Sequence, residues 1–258
     1  MWGRLASIAA NTYRETIRNK ILYALLAFAL LVIGLTSFLA DLSFGELSRI
    51  IANVGLASIH IFGVVMAVFL GITLVSREVD RKTVYLILSK PVPRWEFVVG
   101  KALGLCATLA VTTSIMALVL FAVHMGYRYG GKAETGILLA SCGIYLELVL
   151  LTCVASLFST FTTPVLSAMF TLSTFFIGHI SRDLLFFGGR SRSPLLRRAA
   201  QALYYALPNL EYFNWKNDVV YGRARDASVL LWAVAYMLLY SGALLALACR
   251  IFSRKDFK

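Results

Sequence analysis

Six stretches of the chain are continuously apolar, and the polar residues crowd between them. The stretches are 21–40, 54–75, 102–123, 136–158, 163–180 and 228–249. About 20 apolar residues in helical form cross roughly 30 Å of hydrocarbon, so each predicts a membrane-spanning helix. The runs do not alternate between apolar and polar positions, which excludes a transmembrane barrel, and open strands would leave unpaired amides in lipid. The expected fold is therefore an all-α integral membrane protein with six transmembrane helices in one domain, 1–258. The second span carries His60 as its only titratable group, the fourth carries Glu147, and the fifth ends near His179.

The connectors carry their own patterns. In the lead 1–20, Leu5, Ile8, Ala9, Tyr13 and Ile17 share one helical face, and Arg4, Asn11, Arg14, Glu15 and Arg18 the other. Such a basic amphipathic helix lies in the headgroup layer, as an anchor for the first span or as a mechanical part. The apolar run begins only after this polar lead and is long enough to span, so it does not read as a secretory signal. The loop 76–96 opens SREVDRKTVYLIL. Val79, Thr83, Leu86 and Ile87 share a face, predicting a short helix over 78–88. At 1.5 Å per residue it extends only about 16 Å, too short to cross. Pro91 and Pro93 end it, and Trp95 and Phe97 follow at interfacial depth. Its first half is charged (Arg77, Glu78, Asp80, Arg81, Lys82), so it reads as a surface rod that either docks a soluble partner or simply connects two spans.

The long loop 181–227 is also patterned. Ser193-Pro194 is a helix start, and Leu195, Leu196, Ala199, Leu203 and Ala206 form an apolar stripe ending at Pro208. Arg190, Arg192, Arg197 and Arg198 form a basic patch. Tyr204, Tyr205, Tyr212, Phe213, Trp215 and Tyr221 read as an aromatic belt. A short outer-face helix is expected, either lidding the path or anchoring to anionic headgroups.

Composition agrees. Hydrophobic residues make up 59% and charged ones 15% of the 258, against about a quarter charged in soluble domains. The formal charge of +12 would suggest nucleic acid in a soluble chain. Here Lys and Arg lie mostly between apolar runs and act as an orientation signal. Placing both termini in the cytosol puts 14 of them in inner segments and three in the first two outer loops. The third outer loop holds eight, but long loops weigh less in setting topology.

The candidate chemistry is sparse. Glu147 is costly to bury ionised, so it faces protein or water, either as a functional carboxylate or as a structural hydrogen bond to a neighbour such as Tyr145. His60 and His179 read as packing or interfacial residues, since no HxxxH or HExxH spacing exists to hold a metal. Cys106, Cys142, Cys153 and Cys249 are isolated in apolar runs and read as small hydrophobes. The stretch GYRYGGKA at 126–133 imitates a phosphate loop, but it has no preceding strand and ends in Ala133 where a magnesium-binding hydroxyl belongs. No catalytic, cofactor or metal site is expected in this chain.

Three stretches together resemble the permeases of type-2 ATP-binding-cassette (ABC) transporters. The first is Glu78, Lys82-Thr83, Leu86, Leu88-Ser89, Pro91-Val92, Arg94, Phe97 and Gly100-Lys101, with Lys82 where many members have Gly. The second runs from Glu147 through Ser159-Thr160-Phe161-Thr162-Thr163-Pro164 to Leu166-Ser167. The third is Leu207-Pro208-Asn209-Leu210-Glu211 with Phe213-Asn214 and Tyr221-Gly222. The resemblance implies an ABC exporter permease subunit in the cell (inner) membrane, paired with a second permease of the same or a related kind. ABC ATPase subunits would hold the ATP and Mg, and no nucleic acid is involved. It implies that 78–88 is the coupling helix, with Glu78, Asp80, Arg81, Lys82, Thr83 and Leu86 facing the ATPase, and that 1–20 is the connecting helix. The competing readings are a proton-coupled secondary transporter using Glu147 and a tether that binds an ATPase without transport. An intramembrane enzyme is disfavoured, because no GxSG, paired carboxylates or His pair occurs.

Overall fold

The computed structural model describes residues 2–41, 47–80, 93–126, 133–190, 193–216, 218 and 227–254. Among these residues every regular element is a helix: α1 (Trp2–Ile17), α2 (Lys20–Asp41), α3 (Leu47–Asp80), α4 (Arg94–Gly126), α5 (Ala133–Phe161), α6 (Pro164–Arg190), α7 (Pro194–Ala206), a 3₁₀ turn (Leu210–Phe213) and α8 (Ala227–Arg254). Six of them are long and apolar enough to cross a bilayer, as the hydropathy pattern predicts.

The helices outrun the apolar stretches that announce them. α4 begins at Arg94, straight after Pro93, whose carbonyl accepts from the Glu96 amide at 3.0 Å. α6 begins on Pro164, where a missing N–H costs nothing, and continues to Arg190. α3 runs on to Asp80, so Glu78 and Asp80 lie on a continuation of the second span rather than on a new helix. Arg81, Lys82, Thr83 and Leu86 lie outside the described residues.

α5 is the central helix. It packs against α3, α4, α6 and α8, and Leu148, Leu150, Leu151 and Ala155 along it are fully or almost fully buried. By contrast α2, α6 and α8 turn large apolar side chains outward, among them Phe38, Val165, Phe176, Trp232 and Leu239. Lipid or a partner subunit satisfies such faces. Hydroxyls within the spans return to their own helix: Thr108, Thr113, Thr152 and Ser156 each donate to the carbonyl four residues back. Ser167 instead crosses to the Ala155 carbonyl at 3.2 Å and ties α6 to α5.

The first helix and the end of the last both pack against the start of α4. Arg94 donates to the carbonyls of Phe252 and Ser253 at 3.3 and 3.1 Å, and Phe97 stacks on Phe252. Phe97 is buried there while Trp95 stays part exposed, so only Trp95 keeps the interfacial setting expected of the pair. On the same face α1 docks onto α4 through Gly100 and Gly104, a small-xxx-small step that lets backbones approach closely. A Cβ on Gly104 would lie 2.6 Å from the Ala9 carbonyl and 2.7 Å from Thr12 Cβ. Gly104→Val should therefore push α1 off α4, at a cost of about 1–3 kcal/mol. A lower unfolding temperature in mild detergent, with faster protease cleavage before Lys20, is the expected result.

Opposite that face, α7 leaves Leu195, Leu196, Leu203 and Tyr205 exposed and buries only Ala200. Ser193 occupies its N-cap and Pro194 its first turn as the sequence predicts, but the serine side chain makes no capping bond. The segment after α7 turns inward. Leu210, Phe213 and Trp215 are almost completely buried, packed where α5 and α6 carry Gly143 and Gly178. Phe213 and Trp215 are thus core residues rather than part of an aromatic belt. Tyr205 and Tyr212 are exposed, and Tyr221 lies outside the described residues.

Candidate functional site

The inward segment is built from short-range bonds. Asn209 caps the 3₁₀ turn by accepting from the Glu211 amide at 3.1 Å, and its own amide donates to the Tyr236 hydroxyl on α8 at 2.9 Å. Trp215 Nε1 donates to the Tyr212 carbonyl at 2.8 Å. These contacts deliver Lys216, at the end of the segment, to the ring of His60.

His60 sits at the middle of the span Ser48–Ile72, and Glu147 at the midpoint of α5. Glu147 is 1% exposed. His60 Nε2 and Glu147 Oε1 are 2.9 Å apart, a buried hydrogen bond between spans. The Lys216 ammonium contacts His60 Nδ1. With that nitrogen accepting, the ring proton sits on Nε2 and is donated to Glu147. The result is a relay from a loop cation, through an imidazole, to a carboxylate at mid-bilayer depth. Burial pushes the Lys216 ammonium below the ordinary lysine range, while the Glu147 and Glu211 carboxylates act to restore it. His179 completes the group, with Nε2 3.5 Å from the same Glu147 oxygen. Phe175 packs on both histidine rings, with centroids 5.4 and 4.7 Å away.

The partner of Glu147 is therefore His60 and not Tyr145, whose hydroxyl donates to the Cys106 carbonyl at 3.4 Å. Of the other predicted site residues, Arg190, Arg197 and Arg198 are exposed. Arg190 lies over the Phe186 ring, 4.0 Å from its centroid. Arg192 lies outside the described residues. Glu78 and Asp80 are at the end of α3, far along the helix from His60. Lys216 carries no signal of its own in the sequence, and the two histidines read there as packing or interfacial residues. The one available signal was that His60 is the sole titratable group of its span, a costly position without a partner.

The fold describes a multi-pass membrane protein with a polar centre in its interior. Residues 6–257 match the family described as ABC-2 family transporter protein. The chain belongs to that family, and it is a membrane permease component of an ABC transporter. Permeases of this family are generally non-catalytic subunits, and they imply association with an ATPase subunit and with the membrane. None of the curated proteins compared with the chain matches it.

Proposed function

We propose that the chain is one half of an exporter in the cell (inner) membrane. Both termini face the cytosol, and motion comes from separate ATPase subunits that bind beneath two paired permeases. ATP and Mg belong to those subunits. The distribution of Lys and Arg supports the orientation.

The observation that carries this reading is α3. It has 34 residues, about 51 Å of helix, where some 30 Å suffices to cross hydrocarbon. The excess continues without a break through Glu78 and Asp80 and leads straight into 81–88. A push on that segment is transmitted along a single helix to His60 and the interior. Glu78, Asp80, Arg81, Lys82, Thr83 and Leu86 form the ATPase contact in this reading, and the arginines at 190, 192, 197 and 198 form the outer basic patch.

Copurification in mild detergent tests it. The wild-type chain should retain an ATPase in stoichiometric amount. Charge reversal at two positions, Glu78→Lys with Asp80→Lys, should lose most of it without lowering the yield of folded permease. An ATPase retained in full by the reversed protein refutes the coupling assignment. The buried pair of Glu147 and His60 favours one other reading, a proton-driven transporter. That reading requires transport by the purified chain alone, driven by a pH gradient.

A further inference from the structure

His179 is held in the posture of a metal ligand. Its Nδ1 lies 3.2 Å from the Phe175 carbonyl one turn back. A carbonyl only accepts, so Nδ1 carries the proton and the Nε2 lone pair is free. Metal-bound histidines are oriented in this way by the nitrogen they do not use. The free Nε2 is buried and has no hydrogen-bond partner, yet it faces Glu147 Oε1 at 3.5 Å. Two lone pairs aimed at each other call for a cation between them.

We propose that His60 Nε2, Glu147 Oε1 and His179 Nε2 form a binding site for a first-row divalent metal of the Zn²⁺ class. Two imidazoles and one carboxylate are a donor set suited to zinc, with a fourth position left for water. The three donor atoms lie within 4.8 Å of one another. Ligands about 2.0–2.1 Å from a tetrahedral ion are separated by about 3.4 Å, and the observed separations from the shared oxygen, 2.9 and 3.5 Å, fall on either side of that value. The His179 side chain is 22% exposed where those of His60 and Glu147 are 9% and 1%, so the ion enters past His179. Once bound, it ties α3, α5 and α6 together at mid-span. A ligating nitrogen must offer its lone pair, so on binding the His60 proton moves from Nε2 to Nδ1; this breaks the Lys216 contact at Nδ1, and the ammonium, outside the ligand triangle, opposes a dication there. Lys216→Gln removes that charge and offers an amide oxygen to Nδ1–H, so it should bind metal at least about tenfold tighter.

The test uses the full chain with its ATPase in lipid nanodiscs, purified without a histidine tag and stripped of metal. Co²⁺ is the probe, read by the visible absorption of its tetrahedral complexes and competed with Zn²⁺. The chain has three histidines, and the third, His124, pairs with Ser48 away from the cluster, so His124→Ala serves as the control. One Co²⁺ per chain is expected in wild type and in His124→Ala. His179→Gln and Glu147→Gln should reduce the affinity at least about tenfold. Zn²⁺ should raise the unfolding temperature of wild type but not of these two variants, a readout independent of transport. Absence of tetrahedral Co²⁺ from both wild type and Lys216→Gln overturns the proposal, whatever the variants do. So does undiminished binding in folded His179→Gln. Neither result bears on how the permease is powered.

Discussion

Replacing Glu147 with leucine is expected to cost the protein about 1–3 kcal/mol, the usual penalty for leaving a buried donor without its acceptor. The donor is His60, and behind it lies Lys216. Its ammonium reaches mid-bilayer depth through the inward segment and contacts His60, which in turn hydrogen-bonds Glu147. Without the carboxylate, Glu211 still acts on Lys216, but the half-buried cation has lost one of its counter-charges. The relay also loses its acceptor, so the His60 Nε2 proton is stranded. Glu147→Gln should be milder, because an amide oxygen still accepts from His60; it should leave assembly intact and lower transport. The sharper check is a double-mutant cycle. Lys216→Met alone leaves the carboxylate uncompensated, while Glu147→Leu with Lys216→Met removes both charges. A buried, coupled pair gives an interaction energy of about 1–3 kcal/mol in thermal or denaturant unfolding of detergent-solubilised protein. Additive losses would show that the two side chains do not feel each other.

That coupling also shows where sequence reading stops. The spans were legible because a helix in lipid must satisfy its own backbone and turn apolar side chains outward, and no arrangement of neighbours alters that requirement. The single carboxylate in the fourth span was legible as costly for the same reason. Its partners were not, because His60, His179 and Lys216 come from three separate segments and no spacing links them. The segment proposed to couple to an ATPase was only partly legible. The shared face of Val79, Thr83, Leu86 and Ile87 suggested a separate helix from Glu78, but no proline or glycine lies between Ile72 and Asp80, so nothing interrupts α3 there. The aromatic residues of the last loop were misplaced for a different reason. A Trp or Phe beside a span usually rests at the lipid interface, and what admits this segment is two glycines in other helices, Gly143 against Phe213 and Trp215 and Gly178 against Pro208 and Leu210.

Those glycines yield the second large effect. At Gly143 an added Cβ would lie 2.7 Å from the Phe213 carbonyl and 2.9 Å from the Trp215 ring, below any normal contact. The carbonyl is backbone, so the whole segment must move rather than one rotamer. Gly143→Leu should expel it, exposing Leu210, Phe213 and Trp215, each of which gains about 1.5–3 kcal/mol from burial. Gly178→Val presses on the same segment from α6, where the Pro208 carbonyl and Leu210 Cγ lie 2.8 Å from the added carbon, and should give the same phenotype. The reporter is Trp215. It is 2% exposed, while Trp95 and Trp232 are 41% and 73% exposed. With Trp2, Trp95 and Trp232 replaced by phenylalanine, the wild-type segment should show blue-shifted emission resistant to a water-soluble quencher. Gly143→Leu should shift that emission to the red and make it quenchable. Lys216 is carried on the same segment, so expulsion also withdraws the ammonium from His60. The stability lost on Glu147→Leu should then shrink in the Gly143→Leu background, because the charge that Glu147 compensates has already left the interior. Emission that stays blue in both glycine variants would mean that the segment does not pack against α5 and α6.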